Sequence, residues 1–276
     1  MGLRIQTNLP SISAQRVLDL QQKRLEHSTQ ALASGSRIVH AGDDAAGLAI
    51  SEHLRGQIRG TAMARQNAFN AVSSIQVSEG GLSEIGNILV RLRELGIQAA
   101  SDTIGDQERT FINNESTNLI QEADRIAKTT TFGTKKLLDG SGGEQTFQVG
   151  AFSGEENVIK YTNSSNAQAS ELGIDGIDMS DKGNARDALS SVDTALDKIG
   201  VMRANYGAIQ SRLEATTNNL DVQYENLSAA NSRIKDVDVA KESSEIASAR
   251  ILQEAAVSVL AQANQFPQMA LKLINN

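Results

Sequence analysis

The chain has 276 residues, of which only 39% are hydrophobic and 3% aromatic, and it carries a formal net charge of −7. An acidic chain with a pI near 5.1 and no basic stripe is a poor nucleic-acid binder, because that binding rests on Lys and Arg neutralising phosphates. With no cysteine, disulfides, thiolate catalysis and zinc–thiolate sites are excluded.

The first residues, Met1-Gly-Leu-Arg-Ile-Gln, lack the basic stretch and apolar run of a secretory signal. Gln6 breaks the myristoylation pattern, and no stretch approaches the length of a membrane span. If the protein leaves the cell, another export route carries it. From Ala14 to Ala33 a narrow seam of Leu18, Leu25 and Leu32 recurs at seven-residue spacing, which keeps one helix edge toward a partner. Ser34-Gly35-Ser36 interrupts it. A second helix is expected from about Asp44 to Ala100, with Leu82, Ile85, Leu89, Leu92, Gly96 and Ala99 in steps of three and four. Gly80-Gly81 reads as an irregularity within it. After a turn at Asp102–Asp106, a third helix carries Ile112, Ser116, Leu119, Ala123 and Ile126 on one face.

From Thr129 to Asn184 the chain is rich in Gly, Ser, Asn and Thr. Gln145–Val149 and Asn157–Thr162 read as two strands of a β-hairpin. A long seam follows through Leu189, Val192, Leu196, Ile199, Tyr206, Ile209, Leu213, Leu220 and Leu227. A helix of about 50 residues would be roughly 75 Å long, which points to a coiled coil or long bundle. The last seam runs Leu252, Ala256, Val259, Ala263, Phe266, Ala270 and Leu273, and Pro267 is expected to end or kink that helix. The expected fold is mainly α: a long antiparallel helical bundle or coiled coil with a small β-hairpin region in the middle.

No residue set reads as catalytic, cofactor-binding or metal-binding. The three histidines, His27, His40 and His53, lack metalloprotease spacing. The glycine pairs lack a P-loop lysine, and no Gly-x-Ser-x-Gly elbow occurs. Asp43 and Asp44 are a sharper question. With only Glu52 near them they make a thin metal site. As a joint before Ala-Ala-Gly-Leu-Ala-Ile they suit a helix start, where a carboxylate accepts free N–H groups and meets the positive end of the dipole. Both chain ends are thin amphipathic helices that must bury a stripe, against each other, against neighbouring molecules, or on a membrane surface. The last option calls for a basic face opposed by Trp or Phe, and the N-terminal helix has no aromatic residue.

Three stretches carry a resemblance. Arg37-Ile-Val-His-Ala-Gly-Asp-Asp-Ala-Ala-Gly-Leu-Ala-Ile50, the opening Ile5-Gln-Thr-Asn-Leu, and Arg250-Ile-Leu-Gln-Glu-Ala-Ala-Val-Ser-Val-Leu-Ala-Gln-Ala-Asn-Gln-Phe-Pro-Gln268 resemble the motifs of bacterial flagellins. The middle leaves no room for large outer domains, so the resemblance is to a minimal form. It implies a subunit that self-polymerises into the flagellar filament for swimming motility, with terminal helices that order and pair on assembly. Residues 1–43 and 236–276 would then form the inner filament-core domain. Residues 44–183, with the hairpin region at 130–183, and the helix at 184–235 would form a rod-like domain around it. Polymerisation seams fall on Leu18, Leu25, Leu32, Leu252, Ala256, Val259, Ala263, Phe266 and Leu273.

The implied partners are other copies of the chain, a filament cap protein, the hook–filament junction protein, an export chaperone and the type III export apparatus. The implied location is extracellular. The pattern read by an innate Toll-like receptor in some flagellins aligns with Arg91, Leu95 and Glu115, residues that also serve subunit packing. The alternatives are a hook–filament junction protein, which shares the terminal helices, and a soluble coiled-coil adaptor. No enzymatic role is expected.

Overall fold

The computed structural model describes residues 7–274, with side chains through Gln265 and at Pro267. The element order is α1 (Leu9–Ser34), α2 (Ala45–Ala99), α3 (Asp106–Thr129), β1 (Thr131–Phe132), β2 (Lys135–Lys136), β3 (Gly143–Gln148), β4 (Val158–Asn163), α4 (Ala169–Leu172), α5 (Lys182–Lys235) and α6 (Val239–Ile274). A single 3-10 turn precedes β4. The long-helix fold with a small hairpin is therefore observed as expected. Two compact units divide the chain: residues up to Gly56 together with those from Asn226 onward, and Gln57–Glu225.

The second unit holds a large core. In α2, Ala64, Ala68, Ala71, Ile75, Leu82, Ile85, Leu89 and Leu92 are buried in near-regular steps of three and four, the spacing that keeps one face of a helix inward. Ile120, Ala123 and Ala127 of α3 join them, with Val192, Ile199, Tyr206 and Leu213 of α5 and Leu137 and Leu138 from beyond β2. A neighbouring cluster gathers Leu95, Ala99, Ile112, Met179, Ala185 and Ala188. Gly81 belongs to this packing. A Cβ there would lie 2.8 Å from Leu138 Cδ1 and 2.9 Å from Thr130 Oγ1. The helix passes unbroken through Gly80-Gly81, so the glycine read as an irregularity is a place of close approach.

β3 and β4 pair antiparallel from Gly143↔Asn163 to Gln148↔Val158. Their connection is tied by Val149 N–H donating to the Asn157 carbonyl at 2.8 Å. On β4 the side chains alternate, with Ile159, Tyr161 and Asn163 buried. Beneath them the Tyr206 hydroxyl donates to Asn163 Oδ1 at 3.0 Å, and Asn163 Nδ2 donates to the Leu137 carbonyl at 2.9 Å. Burial pushes the Tyr161 hydroxyl far above its ordinary range, so it stays protonated. The turn from α2 into α3 is held by Arg109. It is 8% exposed and donates to the carbonyls of Ala99 and Ser101, both at 2.9 Å, and to Asp106 at 3.0 Å. One guanidinium thus satisfies helix-end carbonyls that would otherwise be orphaned. Its acidic companions Asp106 and Glu108 occupy the first turn of α3, where the helix dipole favours them.

The two-stranded β1–β2 pair was not foreseen in the sequence. α6 does not end at Pro267: it runs through to Ile274. Proline removes one backbone donor, and here only about two turns of helix follow it.

Candidate functional site

In the first unit, α1 and α6 lie antiparallel. The Asn8 side chain accepts the Ser11 N–H and caps α1, Pro10 lies in the first turn, and Gly35 closes the helix with a left-handed φ of +68°, a conformation that suits glycine. At the same end as that cap, Asn8 Nδ2 donates to the Ala263 carbonyl at 2.9 Å, and Ser11 Oγ donates to Asn264 Oδ1 at 3.0 Å. At the other end Ser36 and Asp236 form an isolated antiparallel bridge. Arg37 N–H donates to the Lys235 carbonyl at 2.7 Å and Val237 N–H to the Gly35 carbonyl at 3.1 Å. The Arg37 guanidinium reaches the Ile234 carbonyl at 2.7 Å, covering the C-terminal end of α5.

Between these ends the buried positions are small or polar. On α1 they are Ala14, Gln21, Ser28 and Ala31; on α6 they are Ala249, Ala256 and Ala263. Leu18, Leu25 and Leu32 flank that line and are half-buried. Of the residues expected to form a polymerisation seam, Ala256 and Ala263 are buried within the single chain, whereas Leu252 and Val259 are 48% and 56% exposed. Both lie three residues beyond a buried alanine, while the half-buried Gln253 and Leu260, four beyond, complete the seam. A step of four keeps to the same side of a helix better than a step of three. Phe266 and Leu273 lie outside the residues whose side chains are described.

The chain alone leaves much of this pair uncovered. Leu9, Ile12, Val17 and Leu20 on α1, and Ile251, Leu252, Val257 and Val259 on α6, are each between 45% and 66% exposed. Apolar surface of this extent on a solvent-facing element marks an interaction surface.

The joint answers the question of the paired aspartates. Asp44 Oδ1 accepts the Gly47 N–H at 2.8 Å, so Asp44 is the N-cap of α2. Asp43 Oδ2 accepts the N–H groups of His40 at 2.8 Å and Val39 at 3.0 Å. Its Oδ1 lies 3.3 Å from His27 Nε2 on α1. The His40 N–H, ahead of the Val39 N–H and His27, holds the Asp43 carboxyl below the ordinary carboxylate range. Both carboxylates are thus engaged with backbone N–H groups. Among the described residues no three His, Cys, Asp or Glu side chains gather as metal ligands would. Nearby, Ser51 Oγ meets Asn231 Oδ1 at 2.9 Å and Lys235 lies 3.5 Å from Glu52, which ties the start of α2 to the end of α5.

In the second unit, Arg91 and Glu115 are brought together. The guanidinium donates to Glu115 Oε1 at 2.8 and 3.1 Å and to Glu94 Oε2 at 3.1 Å, and these carboxylates raise its already high pKa. Leu95, grouped with them from the sequence, is 2% exposed. It packs with Ala99, Ile112 and Met179, whereas Arg91 and Glu115 are on the surface. Near this ion pair in the sequence, Val90, Ile97 and Phe111 are exposed. No helix among the described residues is long and apolar enough to cross a membrane.

Comparison with known proteins gives this geometry its context. Residues 5–142 match the bacterial flagellin N-terminal helical region, and residues 189–274 match the bacterial flagellin C-terminal helical region. The chain is 43% identical over 270 residues to a flagellin of Halalkalibacterium halodurans, covering 98% of this chain and 99% of that one. It is 39% identical over 306 residues to a flagellin of Bacillus subtilis, with 99% and 100% covered. It is 40% identical over 285 residues to the flagellar filament core protein flaB2 of Brachyspira hyodysenteriae, with 98% and 99% covered. Among solved structures, Bacillus cereus flagellin superposes with a TM-score of 0.51 at 27% identity, over 60% of this chain and 94% of that one. A Vibrio parahaemolyticus chain assigned to the flagellar hook-associated proteins superposes at 0.59 with 11% identity, over 70% and 100%, a likeness of fold alone. With both halves of its helical frame matched and relatives aligned end to end, the chain belongs to the bacterial flagellin family and is a structural subunit of the flagellar filament.

Proposed function

We propose that this flagellin polymerises chiefly through its terminal helices. α1 and α6 bury their uncovered stripes against neighbouring copies. On this reading residues 1–43 and 236–276 form the inner core of the filament, and residues 44–235 the surrounding layer. The observation that carries it is the row of exposed apolar residues along α1 and α6, set on a seam too thin to be a core. Contacts that repeat head to tail without closing a ring build open helical filaments.

The remaining expectations follow from the family. Export would use the flagellar type III apparatus with a chaperone on the C-terminal helix. Insertion would be guided by a cap protein, beyond a junction protein at the hook, and the final location would be extracellular. Arg91 and Glu115, an exposed ion pair, are proposed as the polar part of a surface used in subunit packing and readable by a Toll-like receptor in the monomer.

The test is growth from seeds. Purified chain added to short filament fragments should elongate them at uniform width in electron micrographs. Removal of the last ~20 residues, about three heptads of the α6 seam, should abolish elongation while the helices of the second unit keep their amide protection. Elongation by the truncated chain would overturn the proposal. A full-length chain that caps seeds without extending them would favour the hook–filament junction reading, and one that ignores them a soluble adaptor. For the receptor, a reporter response to pure monomer that is unchanged by Arg91→Ala rules out that contact.

A further inference from the structure

Natural chains satisfy nearly all of their buried polar atoms, so an exception asks for a reason. Among the described residues one buried side-chain oxygen or nitrogen has no hydrogen-bond partner: Oε1 of Gln21. The residue is 9% exposed and stands near the middle of α1. The bonds at the two ends of the antiparallel pair, Asn8 to Ala263 and Arg37 to Lys235, place it level with the Leu252 stretch of α6. An acceptor shut away in this manner costs the chain its lost hydration. Methionine has the same length and nothing to satisfy, so the amide is the worse residue for the seam of a single chain.

The surface beside it indicates where a partner comes from. Val17, one turn before Gln21, is 45% exposed, and Leu20 is 49% exposed. Positions four apart lie on one side of a helix, so the uncovered apolar row runs along the edge of the Gln21 side chain. A body that covers this row also closes over Gln21. The glutamine side chain is long and rich in rotamers. Its amide can tilt from the seam toward that row, where a donor of the covering body reaches its oxygen. The chain is a filament subunit, and this row is part of the surface proposed above to be covered on assembly. The covering body is therefore a second copy of the chain.

We infer that Gln21 holds a deferred hydrogen bond: unpartnered in the free chain, its amide oxygen receives a donor from a second copy in the filament, which favours polymer over free subunit. This rests on the terminal pair being the assembly surface. The two states contribute in the same direction. In the free chain, removing the amide relieves an unsatisfied acceptor. In the filament, removing it breaks a bond and strands the neighbour's donor. Gln21→Met therefore separates the two states by sign: the single chain gains stability and the polymer loses it. Methionine and glutamine have similar helix propensity, so the contrast does not come from the backbone.

Two measurements on the full chain decide it. Hydrogen exchange of the free chain should show the α1 amides around position 21 protected a few-fold more in Gln21→Met than in the parent. The subunit concentration left in solution at equilibrium with seeded filaments should rise roughly tenfold or more for the same variant, from one lost bond and one stranded donor. A residual concentration that is unchanged or lower overturns the inference, because the amide is then no better served in the filament than in the free chain. Protection that is unchanged or weaker in the variant also overturns it, because the amide then carries no penalty in the free chain. A parallel variant, Val17→Ala with Leu20→Ala, reads the assembly surface itself and should raise the residual concentration whatever Gln21 does. If it does not, the terminal pair is not that surface and both readings fall together. If it does while Gln21→Met does not, the failure belongs to Gln21 alone.

Discussion

The two units bury their chain in opposite ways. The second packs Leu82, Ile85, Leu89, Leu92, Tyr206 and Leu213 at 1% exposure or less, each a large side chain surrounded by others. In the first, the buried apolar residues among those described are Ala14, Ala31, Ile38, Ala249, Ala256 and Ala263, and Ile38 is the one large side chain. Burial stabilises in proportion to apolar area removed from water, so the same helical length yields very different stability in the two places. The second unit has a core of large side chains of its own; the first leaves its large apolar side chains on the surface, where the proposed assembly would cover them.

The sharpest way to break this contrast is a pair of equal truncations. Leu89→Ala, at a fully buried position, should destabilise the second unit by about 2–5 kcal/mol, seen in denaturant titration. Leu18→Ala, at a half-buried one, should destabilise the single chain by roughly 1 kcal/mol or less. Equal losses would erase the distinction. Next in size, Arg109→Met removes three hydrogen bonds to a buried guanidinium and should cost about 1.5–3 kcal/mol, read as faster amide exchange around the end of α2 and the start of α3. Asp44→Ala strips the α2 cap and should cost about 1 kcal/mol, localised by exchange at Gly47.

The smallest effect concerns pH. An acid whose folded pKa is depressed contributes stability that is complete above its unfolded value, for Asp43 near 3.8. That contribution is lost as pH falls through the lower folded value. Amide protection at Val39 and His40 should fall in that acid window, and Asp43→Asn should flatten the dependence. Protection that stays constant across the window in the parent would show that the carboxylate does not hold the joint.

What could be read in the sequence follows the same divide. The seams of α2 and α5 were legible because leucine and isoleucine recur at helical spacing, and Asp43-Asp44 announced a helix start because a carboxylate has few other uses beside Ala-Ala-Gly. The seam of α6 was legible only in part. Alanine looks alike on every face, so the leucines and valines drew attention to Leu252 and Val259, which the packing within the single chain leaves exposed. On α1 the line through Gln21 and Ser28 carries no apolar signal at all. The burial of Leu95 was not legible for a related reason: a local pattern shared with Arg91 says nothing about which side of the helix is covered. The close approach at Gly81 depends on Thr130 and Leu138, far along the chain, and no local pattern could supply it.

The joint carries one mechanical consequence. The two chain crossings beside it are fastened edge to edge, Arg37 N–H to the Lys235 carbonyl and Val237 N–H to the Gly35 carbonyl, with the bridge of Ser36 and Asp236 between them. Tension applied along α1 or α6 therefore enters a lap joint, loaded in shear across several bonds, and reaches α2 and α5 together. A thread would yield one bond at a time; this fastening yields only when its bonds let go at once, a sound construction for a subunit that spends its life in a turning propeller.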